Sequence, residues 1–280
     1  MSAKLLQGRP VADAIWADVE QRAASLTAGG APPICLAIVE AAEDPASAAY
    51  LRQIERLFAR HGLTTVRRQP EQPDQDSLAS VLDEVAVDDA IHGILLTQPL
   101  PSPLRLDLAL RHLPVDKDVE GIHPEHAGLL TQGQQTIVPS TPLAGIEILQ
   151  ADRVELRGKH AVIVGRSQIV GRPLIQLLLA EHATVSVCHT RTPDLGEITR
   201  QADVLLVAAG RANLVTGSMV KPGAIVVDFG INMLGDLMVG DAEAESVAEV
   251  AGALTPVPGG VGPVTNAVLA RNLVELAERR

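Results

Sequence analysis

The sequence predicts a two-domain α/β protein in which each domain contains a parallel β-sheet. Apolar runs of strand length alternate with helical segments from residue 34 to residue 96, and the alternation starts again at residue 161. The prolines of Pro139-Ser140-Thr141-Pro142 separate the two stretches. A chain of 280 residues is also long enough for two modest domains.

The first half of the chain predicts a helix–strand alternation. Helical spacing of apolar residues extends from Val11 to Leu26. Asp44 before Pro45 predicts a helix that has Asp44 as its N-cap and ends near Gly62. The other predicted elements are strands at 34–39, 63–66 and 91–96, helices at 77–85 and 143–149, and loops at 97–103 and 116–121.

The second half predicts one Rossmann-like unit, because strands and helices alternate again without an internal repeat. The predicted strands are 161–164, 184–188, 203–207 and 224–227, and the predicted helices are 170–180 and 195–200. A polar segment without clear periodicity follows at 232–245. A rigid glycine–proline loop at 255–263 then leads into a final helix at 265–278.

Composition and charge argue against several classes of function. The net charge of −11 disfavours nucleic acid or an anionic membrane surface as a partner, because both are bound by basic surfaces. Cys35 and Cys188 lie in apolar runs, which predicts buried, reduced thiols in a cytoplasmic protein. No signal peptide, membrane span or metal-ligand spacing is recognisable.

The stretch from His160 to Pro173 combines a strand, a tight turn and the start of a helix. Gly165, Arg166 and Ser167 form the turn, and Gly171 lies at the helix start. Strand, glycine turn and helix are the arrangement that presents N–H groups to a phosphate.

The end of the next strand indicates which nucleotide would bind there. Thr190 and Arg191 follow this strand, and no acidic residue does. In a Rossmann-like unit an acidic side chain at this place binds the ribose hydroxyl of NAD, whereas arginine binds the 2′-phosphate of NADP. The sequence therefore predicts NADP. The alternative is that Arg166 and Arg191 are solvated surface charges of a domain that binds no nucleotide.

Recognisable motifs extend along almost the whole chain. They are DPASAAYL (44–51), HGILL (92–96), PLP (99–101), KDVEGIHPEHAGLL (117–130), PSTP (139–142), GRSQIVGRP (165–173), CHTRT (188–192), KPGAIVVDFGIN (221–232) and TPVPGGVGPVT (255–265). Together, in this order, they resemble the bifunctional methylenetetrahydrofolate dehydrogenase/cyclohydrolase family, known as FolD. The resemblance implies a homodimeric, NADP-dependent 5,10-methylenetetrahydrofolate dehydrogenase of one-carbon metabolism.

The resemblance also implies a domain organisation and a set of site residues. A catalytic domain would contain residues 1–140 and 265–280, a Rossmann-like NADP-binding domain would contain residues 141–264, and the folate would lie in the cleft between them. The implied cofactor-binding residues are Gly165, Arg166, Ser167, Gly171, Thr190, Arg191 and Ile231. The implied substrate-binding residues are Tyr50, Asp118, Glu120, Pro258, Gly259 and Gly260.

The residues that the resemblance assigns to catalysis depart from the family pattern. The family has Y-x-x-x-K, but Ile54 stands four residues after Tyr50, where a lysine would share the helical face of the tyrosine. Thr97 occupies the position of the family's glutamine, and Gln98 is displaced from it by one residue. Glu120 replaces the second aspartate of K-D-V-D-G.

These departures affect one of the two family reactions more than the other. Oxidation of the methylene group is a hydride transfer that depends mainly on positioning, whereas hydrolysis of the methenyl cation needs a proton-transferring group. We therefore expect weak or absent cyclohydrolase activity. Three alternatives are a bifunctional enzyme that uses other residues such as Glu120 or Gln98, a paralogue with a different one-carbon carrier, and an NADP-binding regulatory protein without turnover.

Overall fold

A computed structural model describes residues 3–41 and 45–280, without the side chains of residues 45–47. The strands are β1 (Lys4–Leu5), β2 (Cys35–Val39), β3 (Thr64–Arg68), β4 (Gly93–Leu96), β5 (His160–Val164), β6 (Thr184–Cys188), β7 (Val204–Val207), β8 (Ile225–Asp228), β9 (Asn232–Leu234), β10 (Leu237–Val239) and β11 (Ala253–Leu254). The α-helices are α1 (Gly8–Leu26), α2 (Pro45–Arg60), α3 (Gln75–Val87), α4 (Leu106–Ala109), α5 (Pro124–Thr131), α6 (Ser140–Ala151), α7 (Gly171–Ala180), α8 (Leu195–Thr199), α9 (Ala244–Val250) and α10 (Val261–Glu278).

The chain forms two compact units, which we call the three-stranded unit and the six-stranded unit. The three-stranded unit contains Ile15–Leu129 and Leu269–Arg280, and the six-stranded unit contains the N-terminal residues to Ala14 and Leu130–Val268. The division predicted from the sequence instead assigns the N-terminal residues to the catalytic domain, and it places the domain boundary after residue 140. The N-terminal residues group with the six-stranded unit because β1 pairs in parallel with β11.

The three-stranded unit is built on a parallel sheet with the strand order β3-β2-β4. Val39 lies in register with Arg68 and Leu96, so the carboxyl ends of all three strands meet at one edge. Side chains alternate between the two faces of a strand. One face packs its apolar side chains on α3, and on β3 Arg67 forms a bidentate ion pair with Glu55 of α2.

The six-stranded unit contains a parallel sheet with the strand order β1-β11-β8-β7-β5-β6. The registers Val164–Cys188, Val164–Val207 and Val207–Asp228 align the carboxyl ends of four strands. The central strands β5, β7 and β8 are apolar and mostly buried, as expected for a parallel sheet that is covered on both faces. The loops that follow β5, β6, β7 and β8 therefore lie along one edge, which is where ligands bind in open α/β sheets.

The predicted strands and main helices are confirmed, with boundary shifts of a few residues. The predicted Asp44 cap lies outside the described residues, while α2 begins at Pro45 as expected. The polar segment 232–245, whose sequence shows no clear periodicity, contains the β9–β10 hairpin and the start of α9. The final helix begins at Val261 rather than at residue 265, because Pro263 falls in its first turn, where proline loses no hydrogen bond.

Two further expectations concern burial. Both cysteines are buried free thiols, as predicted. The segment 116–121 was predicted to be a polar loop, yet it begins with a 3-10 turn at Val115–Lys117, and Lys117 and Asp118 are buried. No helix in the described part of the chain is long and apolar enough to cross a membrane.

Candidate active site

Helix α2 carries Tyr50 and Ile54 one turn apart. Tyr50 is 40% exposed, so it is not a core aromatic, whereas Ile54 has no accessible surface. The phenol group is nevertheless closely surrounded by protein, and burial first and the negative charge of Glu120 second raise the pKa of Tyr50. Its hydroxyl is therefore protonated at neutral pH. Arg52 and Arg56 are exposed on other faces of the helix.

Thr97 and Gln98 follow β4 at the carboxyl edge of the sheet. The N–H and the hydroxyl of Thr97 both donate to the carbonyl oxygen of Val39, at 3.0 and 3.3 Å. The hydroxyl of Thr97 is therefore used to hold β4 to β2. The side-chain nitrogen of Gln98 is buried and has no hydrogen-bond partner among the described residues. Burying an N–H group that has no acceptor costs free energy, and a ligand or water molecule that accepts from it would offset this cost.

Lys117 anchors the segment that carries the substrate-binding candidates. Its ammonium group donates to the carbonyl oxygens of Val85 and Asp88, at 3.1 and 2.8 Å. These carbonyls lie at the end of α3, where a cation is favourable for the helix dipole. Burial is the main cause that lowers the pKa of Lys117. Sequence reasoning read this lysine only as part of a motif and missed its structural role.

Asp118 holds the next turn of the chain. One of its carboxylate oxygens accepts from the N–H of Glu120 at 3.2 Å, and the other accepts from the N–H of His123 at 2.7 Å. Nε2 of His126 lies 4.0 Å from the second oxygen. Burial raises the pKa of Asp118, while these hydrogen bonds and the histidine oppose the rise. Asn272 of α10 donates to the carbonyl oxygen preceding Glu120 at 3.0 Å, so this backbone is held from two sides.

Glu120 is the partly buried carboxyl group that this turn presents. Within the described part of the chain, no hydrogen bond or ion pair involves its carboxyl oxygens. Burial, and then the charge of Asp118, raise the pKa of Glu120 to about 8. At neutral pH the carboxyl group of Glu120 is therefore protonated in most molecules. The group can gain or lose that proton near physiological pH.

The glycine turn of the six-stranded unit is required by its geometry. Gly165 has a φ of +131°, and a Cβ atom there would overlap the carbonyl oxygen of Ala208. A Cβ atom on Gly171 would overlap the backbone of Gly165 and Arg166. The contact at Gly165 packs the turn after β5 against the residue that follows β7, and the contact at Gly171 brings the start of α7 directly onto the same turn.

Ser167 uses its own groups to cap α7. Its hydroxyl oxygen accepts from the N–H groups of Val170 and Gly171 at 3.2 and 3.3 Å, and its carbonyl oxygen accepts from the N–H of Arg172 at 3.0 Å. The expectation that the helix start presents its N–H groups to a phosphate needs correction for these three, because Ser167 already pairs them. An anion at this turn would have to use other donors than these three N–H groups, and the exposed side chain of Arg166 is one.

The turn after β6 presents Thr190 and Arg191. Nδ1 of His189 accepts from the N–H of Arg191 at 3.1 Å, and the hydroxyl of Thr192 accepts from the N–H of His189 at 2.8 Å. This internal pairing leaves Thr190 and Arg191 exposed at the tip. Because β5 and β6 are neighbours in register, Arg166 and Arg191 follow adjacent strand ends, and neither forms an ion pair among the described residues.

Two buried carboxylates, Asp228 and Asp241, order the neighbouring loops of the same edge, and sequence reasoning missed them. Asp228 accepts from the N–H groups of Gly230 at 2.8 Å, Asp241 at 3.1 Å and Ala242 at 2.8 Å. Burial outweighs these hydrogen bonds and raises the pKa of Asp228 to about 6. The detectable signal was an acidic residue at the end of an apolar strand, directly before Phe229-Gly230.

Asp241 ties the hairpin to the loop after β7. It accepts from the N–H groups of Ala209, Gly210 and Arg211 at 2.6 to 2.8 Å, and from the side-chain amide of Asn232 at 2.9 Å. Ile231 lies directly before Asn232 and is largely exposed. The position of this cofactor-binding candidate therefore depends on the two carboxylates.

The loop Pro258-Gly259-Gly260 is held to the start of α1. The N–H of Gly8 donates to the carbonyl oxygen of Gly259 at 2.9 Å, and the N–H of Gly260 donates to that of Pro256 at 2.8 Å. A Cβ atom on Gly8 would overlap the carbonyl of Gly260. Among residues 3–41 and 45–280, no group of three or more His, Cys, Asp or Glu side chains is arranged to hold a metal ion.

Comparison with known proteins places this geometry in a family. Residues 6–120 match the family model described as tetrahydrofolate dehydrogenase/cyclohydrolase, catalytic domain. Residues 139–280 match the model of the NAD(P)-binding domain of the same proteins. This chain belongs to the tetrahydrofolate dehydrogenase/cyclohydrolase family.

Relatives along the full chain agree with this family. The bifunctional protein FolD of Chloroflexus aurantiacus is 47% identical over 282 residues, which cover 100% of this chain and 99% of the relative. A crystal structure of the bifunctional enzyme FolD from Campylobacter jejuni has a TM-score of 0.94 at 40% identity and covers 100% of both chains. The Trypanosoma brucei FolD, solved with NADP cofactor and an inhibitor, has a TM-score of 0.95 at 32% identity and covers 100% of this chain and 98% of that one.

The sites that the sequence suggests for this member of the tetrahydrofolate dehydrogenase/cyclohydrolase family fall into two groups. The three-stranded unit contains the catalytic candidates Tyr50, Ile54, Thr97 and Gln98 together with Asp118 and Glu120. The six-stranded unit contains the cofactor-binding candidates and the loop 258–260. The assignment of individual roles to these residues stays a prediction.

Proposed function

We propose that this chain is an NADP-dependent 5,10-methylenetetrahydrofolate dehydrogenase whose cyclohydrolase activity is weak or absent. The observation that carries the proposal is Ile54. It lies one helical turn from the exposed Tyr50, where the resemblance expects a lysine, and it is a fully buried hydrocarbon. In this proposal residues 1–140 and 265–280 bind the folate, and residues 141–264 bind NADP.

The dehydrogenase reaction makes modest demands on the side chains. When bound, NADP+ accepts the hydride from the methylene carbon. The adjacent folate nitrogens stabilise the methenyl cation that forms, so the protein mainly has to hold the two reactants in the right geometry. Tyr50 offers an exposed aromatic face and a neutral hydroxyl for this purpose, and the retained Asp118 turn supports the same site.

Hydrolysis of the methenyl cation makes a further demand, because water must lose a proton as it attacks and a nitrogen must gain one. A positioned acid/base contributes about 10²–10⁴-fold to such a step. Ile54 has no titratable group, and the hydroxyl of Thr97 is engaged with Val39. Residues 54 and 97 therefore do not supply the acid/base group and its partner that the lysine and glutamine of the family pattern would provide.

The choice of NADP rests on the ends of β5 and β6. Arg166 and Arg191 follow adjacent strand ends, and neither forms an ion pair with a described acidic residue. Two guanidinium groups suit a dianionic phosphate because each can donate two parallel hydrogen bonds. The glycine-only geometry at Gly165 packs the turn after β5 against Ala208 and so fixes the backbone that carries Arg166.

We further propose that the chain forms a homodimer through the six-stranded unit. The β9–β10 hairpin and the residue preceding it expose several apolar side chains on its two faces, and exposed apolar surface of this kind is typical of an interaction site. These side chains are Ile231, Met233, Leu234, Leu237 and Met238.

A paired assay tests the enzymatic proposal. The purified chain is given 5,10-methylenetetrahydrofolate with NADP+ or NAD+, and separately 5,10-methenyltetrahydrofolate without cofactor. We expect oxidation that prefers NADP+, together with enzyme-dependent hydrolysis at least tenfold slower than oxidation. Hydrolysis as fast as oxidation would contradict the reduced cyclohydrolase activity, and binding of NADP+ without oxidation would contradict the dehydrogenase.

A further inference from the structure

Glu40 is a buried carboxyl group that the proposed reaction does not use. It directly follows the apolar strand β2 and is 2% exposed. Its Oε2 atom accepts from the side-chain amide of Gln69 at 3.0 Å and lies 3.6 Å from Nη1 of Arg67. A buried carboxylate costs free energy even when it is paired, and an apolar side chain at residue 40 would avoid this cost. The carboxylate is therefore better explained by the direction it gives to Arg67 than by stability.

Arg67 joins this carboxylate to helix α2. Its Nε and Nη2 atoms donate to the two carboxylate oxygens of Glu55 at 2.6 and 2.9 Å, while Nη1 is the atom that approaches Glu40. A bidentate pair of an arginine with a carboxylate fixes orientation as well as distance, because the guanidinium group is a planar, rigid fork. The guanidinium group thus links α2 to both β2 and β3.

This link lies at the carboxyl edge of the three-stranded sheet. Because β3, β2 and β4 are aligned there, Gln69, Glu40 and Thr97 directly follow three adjacent strand ends. Side chains alternate between the faces of a strand, and the apolar side chain of Val39 packs with α3. Glu40 therefore lies on the opposite face of the sheet, where Arg67 meets α2.

Glu55 lies close along α2 to the site candidates of that helix. It directly follows Ile54, and its distance from Tyr50 along the helix axis is roughly 7.5 Å. The buried stripe of α2 contains Leu51, Ile54 and Phe58. At about 100° per residue, Tyr50 and Glu55 lie at the two opposite borders of this stripe. A fixed position of Glu55 therefore sets the rotation of α2 about its axis, and with it the direction in which Tyr50 is presented.

We propose that Arg67 is a positioning residue for the folate, because it fixes the orientation of α2 through Glu55 and α2 presents Tyr50. The inference rests on the proposed function, since it takes Tyr50 to contact the folate. Arg67 itself touches neither the folate nor NADP in this proposal. The dehydrogenase depends mainly on holding its reactants in the right geometry, so a shift of Tyr50 weakens folate binding without removing a reacting group.

The neighbouring ion pair on the same strand provides a matched control. Nε of Arg68 lies 3.3 Å from Oε1 of Glu84 on α3. Both pairs join an arginine of β3 to a glutamate of a helix, but α3 carries none of the predicted site residues. Loss of the pair with Glu84 therefore shows what the loss of such an ion pair does to the protein when the folate site is not involved.

The test compares Glu55→Met and Glu84→Met with wild type. Methionine is a good helix former and cannot pair with an arginine. Glu55→Met leaves Arg67 beside Glu40, whereas Arg67→Met would leave the buried carboxylate without a cation and destabilise the fold strongly. Steady-state oxidation gives KM and kcat for 5,10-methylenetetrahydrofolate and NADP+, and isothermal titration calorimetry gives the Kd of tetrahydrofolate. Thermal unfolding verifies that each variant is folded.

We expect Glu55→Met to raise the KM for 5,10-methylenetetrahydrofolate and the Kd of tetrahydrofolate about tenfold, since a misplacement of about 1 Å can cost about 10²-fold. The KM for NADP+ should stay unchanged, and Glu84→Met should leave all three values at the wild-type level. Glu55→Gln can still accept one hydrogen bond from Arg67 and should lie between wild type and Glu55→Met. A merely structural role would lower kcat through a smaller folded fraction and leave KM unchanged.

Two results separate this inference from the proposed function. Wild type that oxidises 5,10-methylenetetrahydrofolate, with equal folate KM and Kd values in Glu55→Met and Glu84→Met, would overturn the role of Arg67 and leave the dehydrogenase standing. Wild type that binds tetrahydrofolate without oxidation of the methylene form would overturn the dehydrogenase. A higher Kd of tetrahydrofolate in Glu55→Met alone would then still support the role of Arg67.

Discussion

Tyr50 and Ile54 lie one turn apart on the same helix, yet 40% of Tyr50 is exposed and Ile54 has no accessible surface. Residues four apart share a helical face. The exposed ring therefore sits directly beside a position that is closed to water. An ionisable group at residue 54 would have to be paired with a neighbour or with the substrate.

Restoring the family pattern should restore hydrolysis. We expect Ile54→Lys combined with Thr97→Gln to raise cyclohydrolase activity by roughly tenfold or more, since acid/base assistance is worth about 10²–10⁴-fold. The same variant should lose about 2–4 kcal/mol of stability, because an ammonium group enters a fully buried position. Ile54→Met with Thr97→Gln is the control, and the idea fails if both variants hydrolyse equally well.

Arg191 should determine cofactor choice. We expect Arg191→Gln to raise the KM for NADP+ by about 10–100-fold, because a hydrogen bond to a charged group contributes about 1.5–3 kcal/mol. The KM for NAD+ should change little, since NAD has no 2′-phosphate. Arg200→Gln removes an exposed arginine of the same unit that pairs with Glu197, and it should leave both values unchanged. Equal losses for both cofactors would contradict this role.

Gly165 and Gly158 provide a matched pair of glycines with positive φ. A Cβ atom on Gly158 would meet nothing within 4 Å, whereas on Gly165 it would overlap the carbonyl of Ala208. Gly158→Ala should therefore cost about 1–2 kcal/mol from backbone conformation alone. Gly165→Ala should cost more than 3 kcal/mol and weaken NADP binding, as urea unfolding and cofactor titration would show. Similar losses for the two variants would argue against the close approach.

The ionisation of Asp228 should lower the stability of the folded protein as the pH rises. Its pKa is raised from 3.8 to about 6, so the folded state binds a proton that the unfolded state has lost. The stabilisation is complete below about pH 4 and is lost by about pH 6, and it amounts to about 3 kcal/mol. The advantage of wild type over Asp228→Asn should therefore be about 3 kcal/mol larger at pH 4 than at pH 7. A pH-independent difference in urea unfolding would refute this account.

The hairpin surface should support dimerisation. We expect Leu237→Glu to shift the chain towards monomer in analytical ultracentrifugation, because Leu237 is 70% exposed within an apolar set. Val87→Glu is the control, since Val87 is 81% exposed on the three-stranded unit outside the hairpin. If wild type is already monomeric at micromolar concentration, the proposed dimer is wrong.

Local features of the sequence were sufficient to predict the strands and helices and several candidate site residues. The strands β2, β5 and β7 are apolar runs, and α2 has amphipathic spacing. Both patterns lie within a few consecutive residues, so the positions of these elements could be predicted from the sequence. The lack of an acidic residue after β6 is likewise visible in a few letters. The family resemblance then assigned Tyr50, whose side chain alone would suggest a core aromatic.

Contacts between distant residues were decided only by the tertiary structure. The burial of Ile54, the anchoring of Lys117 on α3 and the hydrogen bond from Asn272 to Val119 join segments that lie far apart in the chain. The same is true of the Asp228–Asp241 network, which links the ends of β7 and β8 to the hairpin. Burial and neighbouring charge set a pKa, and neither quantity can be read from a linear motif.

The sequence by itself therefore determined that this chain has a glycine turn after β5, no acidic residue directly after β6 and no lysine at residue 54, because these are properties of residue identity at short spacing. Only the tertiary structure decided that position 54 is closed to water and that burial, followed by the charge of Asp118, raises the pKa of Glu120 to about 8. The physical reason is that desolvation and charge–charge interactions depend on which distant segments the fold brings together.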